Sequence, residues 1–170
     1  MNTASKVQLI HASYFRQNFK SKKSKVNSIL DEVIASYSLN KDQERAFRIV
    51  ANHAATVNPL QLKMFLNGMA GTGKTQVIKA LMEMFKRKGE AHRFLVLGPT
   101  GTSAALLNGS TYHSALGIRI MSSKDTGMGD GNSATVLADV TERLMGVDYI
   151  FLDEISMVAC HELYAISARL

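Results

Sequence analysis

Gly68, Met69, Ala70, Gly71, Thr72, Gly73, Lys74 and Thr75 follow one another without interruption, in the order G-x-x-x-x-G-K-T. Residues of these types at this spacing can hold a triphosphate. The glycines let the chain curl until successive backbone N–H groups face an anion, and a helix starting at the end of the loop adds the positive end of its dipole. Lys74 then reaches the β and γ phosphates, and the Thr75 hydroxyl ligates Mg²⁺. The competing reading is a glycine-rich turn that binds nothing. The complete pattern, with an apolar run before it and a helical pattern after it, argues against that.

A second cluster is YIFLDEIS, 149–156. An acid at the end of a buried strand can hold magnesium through water, and Asp153 has that place. Glu154, directly after it, can accept a proton from an attacking water. Alone, this pair would read as ordinary polar residues at a strand end; the phosphate loop upstream gives it chemical meaning. Paired acids favour hydrolysis over transfer to a small substrate, and no arginine cluster suggests a kinase-like lid. Gln43 stays open between two roles: its amide can both donate to and accept from an adenine edge, or it can close a capping box.

These groups need elements to place them. Val26, Ile29, Leu30, Val33, Ile34 and Tyr37 recur at helical spacing. A second helix begins at Asn40 as N-cap, with Gln43 three residues on, and stops before VNP at 57–59. LQLKMFLNG, 60–68, reads as a strand leading into the phosphate loop. Lys74 opens a helix carrying Val77, Ile78, Leu81, Met82 and Phe85 and ending near Gly89. RFLVLG, 93–98, is a second strand, followed by a turn, a short helix and a turn. Residues 122–133, rich in glycine, read as a mobile surface loop. Leu137, Val140 and Leu144 mark a helix, VDYIFL a third strand, and 155–170 a last helix. Continuously apolar strands alternating with helices predict an α/β fold with a parallel sheet.

Composition narrows the class. The 170 residues are 46% hydrophobic, enough for one domain with its own core, and the single cysteine, Cys160, permits no internal disulfide. No apolar run reaches the length of a membrane span and the first residues lack a signal peptide's apolar centre, so a soluble, unsecreted protein in a reducing compartment is expected. Net charge is +6, of which residues 1–39 carry +4, through Lys6, Arg16, Lys20, Lys22, Lys23 and Lys25 against Asp31 and Glu32. Such a basic run is either a solvated stretch or an attractor of phosphates.

LNKDQERAF, GMAGTGKT, LVLGPTGTSAALLNGSTYHSALGI and YIFLDEISM, in that order from about Leu39 onward, resemble the Pif family of superfamily-one DNA helicases and the related helicase regions of Helitron transposons. The resemblance implies a P-loop, RecA-like three-layer lobe over 39–170, preceded by a basic flank with one amphipathic helix over 1–38. It implies ATP and Mg²⁺ as cofactors, with Gln43 reading adenine and Gly68, Gly71, Thr72, Gly73, Lys74 and Thr75 forming the phosphate loop. Thr75 and Asp153 would hold the metal and Glu154 would activate water. Thr100, Thr111 and His113 match the family's contacts to single-stranded DNA, which makes a single strand or forked duplex the expected partner. His113 reads equally as a buried, satisfied histidine, and GPTGTS as a tight turn. A nuclear or mitochondrial role in DNA repair and recombination is implied as well.

One departure stands beside these matches. Such helicases continue into a sensor strand and a second RecA-like lobe with arginine fingers, and neither is found in the 170 residues. The expectation is therefore a partial lobe, a fragment or truncated product, that binds nucleotide without being a complete motor. The alternative is a stand-alone, nucleotide-dependent module that binds nucleic acid or a partner without helicase activity.

Overall fold

Helices form where apolar residues first recur at three- and four-residue spacing. The computed structural model describes residues 24–69, 71–118 and 134–170. Most of the basic run, Ala70 of the phosphate loop and the glycine-rich stretch 122–133 lie outside the described residues. The chain divides into two compact units, Met1–Arg87 and Lys88–Leu170.

In the first unit, α1 (Ser24–Ser36), α2 (Lys41–Ala55) and α3 (Lys74–Arg87) pack on one another. The expected capping box starts α2: the Asn40 side chain accepts from the N–H groups of Asp42 and Gln43, and the Gln43 side-chain oxygen accepts from the Asn40 N–H. Leu30 and Val33 of α1, Phe47 and Ala51 of α2, and Ile78 and Phe85 of α3 are buried. Burying each of the larger of these side chains stabilises the unit by about 1.5–3 kcal/mol. Ion pairs from Asp31 to Arg48 at 2.6 Å and from Glu32 to Arg87 at 3.3 Å fix how α1 lies on its neighbours. Their acids are exposed, so each contributes at most about 1 kcal/mol, and apolar burial is what holds the three helices together.

The strand expected over 60–68 is absent. Residues 59–69 carry no strand or helix, and Leu60 and Phe65 are 85% and 71% exposed. A strand exists only against a partner, and the described residues of this unit contain no strand to pair with. The segment is tethered instead by the His53 ring, whose Nε2 donates to the Leu60 carbonyl at 2.6 Å.

The second unit holds a parallel sheet, confirming the α/β expectation. β1 (Phe94–Gly98) lies in the middle, with β2 (Ser110–Thr111) on one side and β3 (Tyr149–Leu152) on the other. The register pairs Leu97 with Ser110 and Gly98 with Thr111, and Phe94 through Leu97 with Tyr149 through Leu152. Helices α4 (Gly101–Ala105), α5 (Tyr112–Leu116), α6 (Ala134–Leu144) and α7 (Cys160–Arg169) complete the unit. Leu97, Tyr112, Leu116 and Ile166 form its buried core, with Ile150 and Leu152 of β3 packed against them.

Two details differ from the sequence reading. The region after β1 contains two short helices and a two-residue strand rather than one helix between turns. The last helix begins at Cys160 rather than Ile155, because Ile155–Met157 forms a single 3-10 turn and the Glu162 carboxylate accepts from the Ala159 N–H at 2.8 Å to start α7 there. Among the described residues, no helix is long and apolar enough to cross a membrane.

Candidate functional site

In the first unit the phosphate loop runs directly into α3. Gly71 and Gly73 take φ of +78° and +83°, a region that side-chain-bearing residues rarely adopt, so the bends of the loop fall where glycine stands. Lys74 curls back over its own loop, its Nζ donating to the carbonyls of Gly68 at 2.7 Å and Met69 at 3.0 Å. The Thr72 hydroxyl donates to the same Met69 carbonyl at 2.8 Å. Thr75 is exposed in the first turn of α3, and among the described residues beyond its chain neighbours a Cβ placed on Gly71 would meet nothing within 4 Å. An ammonium, a hydroxyl and the positive end of a fourteen-residue helix therefore converge on one loop, and that donor set suits a polyphosphate.

Two glutamines tie this loop and its helix to the helices before them. Gln43 Nε2 donates to the Thr72 carbonyl at 3.1 Å and to the Gly73 carbonyl at 3.4 Å, while its oxygen stays in the capping box. Gln76 Nε2 donates to the Tyr37 carbonyl at 3.2 Å. The sequence leaves Gln43 two roles, base reader and cap. The structure shows the cap and adds a third, contact with the phosphate loop.

In the second unit the parallel strands end together. Thr111 closes β2 beside Gly98 of β1, Thr100 follows β1 by two residues, and Asp153 follows β3, its N–H donating to the Leu97 carbonyl at 2.8 Å. Three of the candidate residues thus share the C-terminal edge of one sheet, the edge at which open α/β sheets bind their ligands. Asp153 is half-buried and one of its carboxylate oxygens accepts from the Glu154 N–H at 2.9 Å. Glu154 is exposed with φ +51°, a left-handed conformation that costs a non-glycine residue about 1–2 kcal/mol. Thr75 in the first unit and Asp153 in the second each carry an oxygen of a type that suits Mg²⁺, which keeps several waters and takes phosphate oxygens besides. Among the described residues, no group of three or more acids, histidines or cysteines gathers that could hold a metal ion by itself.

The threonines and the histidine have local work. Thr100 caps α4, its hydroxyl accepting from the Ser103 N–H at 3.2 Å, and Thr111 caps α5 by accepting from the Ser114 N–H at 3.2 Å. His113 stacks on Tyr112 with ring centroids 4.1 Å apart and stands 3.7 Å from the Glu162 carboxylate. That carboxylate also accepts from the Tyr112 hydroxyl at 2.7 Å. Backbone donation from Ala159 and then the Tyr112 hydroxyl hold Glu162 below the usual carboxylate range, while burial and the hydrogen bond to Glu162 push Tyr112 up to about 12.

With this geometry in place, the comparisons with known proteins are specific. Residues 38–169 match the model of the PIF1-like helicases. The chain belongs to the PIF1-like helicase family. Its α/β fold with a phosphate loop is accordingly the P-loop, RecA-like class. Among relatives of the PIF1-like chain, the ATP-dependent DNA helicase PIF4 of Trypanosoma brucei brucei is 28% identical over 133 residues, covering 78% of this chain and 15% of that protein. The ATP-dependent DNA helicase Pif1 of Bdellovibrio bacteriovorus is 35% identical over 99 residues, covering 56% and 20%. The chain thus spans a fifth or less of the length of these two curated relatives. An uncharacterised protein of Methanocaldococcus jannaschii is 40% identical over 70 residues, 41% of this chain and 6% of that one. No solved structure matches the chain significantly.

Sequence reasoning missed Ser103, Gln76 and Glu162 as structural partners of the site. Glu162 alone left a signal, standing three residues after Ala159 just ahead of the apolar face of α7, as the acidic half of a capping box does.

Proposed function

We propose that this chain is the nucleotide-binding part of a DNA helicase, taking up Mg-ATP and coupling its hydrolysis to movement along single-stranded DNA and separation of a duplex. The observation that carries this reading is the family match over 38–169 falling on a phosphate loop with Lys74 already turned into it. Lys74 exchanges its two loop carbonyls for phosphate oxygens when nucleotide enters, and the loop and α3 N–H groups hold the remaining charge. Glu154 would take the proton from the attacking water at its carboxylate, and Asp153 and Thr75 would hold the metal side of the nucleotide. Bound Mg²⁺ supplies neutralisation of the phosphate charge. Gln43 would read the base through the second lone pair of its amide oxygen. Thr100 and Thr111, at the sheet edge, meet the DNA backbone through hydroxyls and neighbouring amides, a contact that does not depend on sequence.

The test is calorimetric titration of the chain with Mg-ATP, beside Lys74→Ala. Removing a charged donor to phosphate costs about 1.5–3 kcal/mol, a fall in affinity of roughly ten- to a hundredfold. Equal affinity in the two proteins refutes the reading. Anisotropy of a labelled single strand, with and without a non-hydrolysable ATP analogue, adds the nucleic-acid half. Binding that ignores both the analogue and the mutation identifies a nucleotide-independent binding module instead.

A further inference from the structure

The Gln43 amide is fixed at both ends. Its oxygen must face the Asn40 N–H at 3.0 Å, and its nitrogen must face two carbonyls, Thr72 at 3.1 Å and Gly73 at 3.4 Å, because the flipped amide would set oxygen against oxygen. The approach is close: a Cβ on Gly73 would lie 2.3 Å from this nitrogen. A trans peptide is planar and its C=O points opposite to the N–H of the next residue. Pinning the Thr72 carbonyl toward α2, and the Gly73 carbonyl together with the Gln76 N–H that donates to it at 3.0 Å, therefore turns the N–H groups of Gly73 and Lys74 away from α2, and these two are among the amides the phosphate loop would offer an anion.

We propose that Gln43 is a positioning residue for the phosphate loop, aiming the Gly73 and Lys74 amides at polyphosphate whether or not a base is present. This rests on the polyphosphate reading given above and deepens it. A residue that only reads adenine acts on ATP alone, whereas one that shapes the loop acts on a ligand with no base at all.

The experiment is calorimetric titration of the 170-residue chain with magnesium tripolyphosphate and with Mg-ATP, in the wild type, Gln43→Ala, Gln43→Glu and Asn40→Ala. Gln43→Ala removes cap and loop bonds together. Gln43→Glu keeps the capping acceptor and removes the donor, so it serves even where the alanine variant folds poorly. Asn40→Ala weakens the same helix start and leaves the Gln43 amide in place. Tripolyphosphate affinity is expected to fall roughly three- to tenfold in Gln43→Ala, at least as far in Gln43→Glu, and to stay within about twofold in Asn40→Ala. In ¹H–¹⁵N spectra the Gly73 and Lys74 amides move in the Gln43 variants and hold in Asn40→Ala. Tripolyphosphate affinity unchanged in either Gln43 variant, even with ATP affinity reduced, overturns the proposal. An equal loss in Asn40→Ala overturns it too, since the effect would then come from the end of α2. A wild-type chain that binds neither ligand instead overturns the polyphosphate reading itself.

Discussion

Replacing Gly73 by alanine should destabilise the first unit more than replacing Gly71, although the two glycines have nearly the same backbone. Their φ values are +83° and +78°, so an alanine at either position costs about 1–2 kcal/mol in left-handed strain. Around Gly71 none of the described residues beyond its chain neighbours lies within 4 Å of the added methyl, so strain is the expected effect. At Gly73 the methyl meets Gln43 Nε2 at 2.3 Å, and the amide must leave its two carbonyls. One sound and one weak neutral hydrogen bond together contribute about 0.5–1.5 kcal/mol. The total for Gly73→Ala is then about 1.5–3.5 kcal/mol, an excess over Gly71→Ala of about 1 kcal/mol. Urea unfolding followed by circular dichroism measures both, and repeating both substitutions in a Gln43→Ala background closes the cycle. There the excess should vanish, because no amide remains to displace. Equal destabilisation by the two alanines, or an excess that survives in the Gln43→Ala background, refutes the contact on which the argument depends.

Other consequences are as direct. Because the Tyr112 hydroxyl titrates at about 12 in the folded chain against an ordinary 10.0, its contribution to stability is complete below pH 10 and is lost as pH rises toward 12; thermal melts from pH 9 to 12 should show a steeper decline in the wild type than in Tyr112→Phe. Glu162 is shifted the other way, chiefly by the Ala159 N–H and then by Tyr112, with His161 and His113 adding to it. Its contribution is complete above its ordinary value of 4.5 and disappears as pH falls through the lower folded value, so Glu162→Gln should flatten the acid limb of the same melts. Phe47→Ala, at a fully buried position, should cost about 3–5 kcal/mol in urea unfolding. Phe65→Ala, at a position 71% exposed, should stay within about 0.5 kcal/mol, and a large cost there would show that 60–68 is packed after all.

The contrast between Phe47 and Phe65 also shows which parts of the structure the sequence could disclose. Phe47 lies in a pattern that repeats every three to four residues between a cap and a break, and each of those signals is local: Asn40 and Gln43 bond one another, and the helix closes its own hydrogen bonds. The phosphate loop is local in the same sense, since its glycines, lysine and threonine act within eight residues. Phe65 lies in a run whose composition suits a buried strand, but a strand's hydrogen bonds belong to its neighbour, and the letters 60–68 carry no information about whether one is beside them. β2 is the opposite case: Ser110 and Thr111 are too short a run to announce a strand, yet they join the sheet because β1 presents Leu97 and Gly98 to them. The Gln43 contact was hidden for the same reason. Its capping partner is three residues away and could be read, whereas Thr72 and Gly73 are 29 and 30 residues away and become neighbours only once α2 has packed on α3. Where a residue serves both a local and a distant partner, as Gln43 does, the motif discloses the first role and conceals the second, and only a ligand that engages one of the two can separate them.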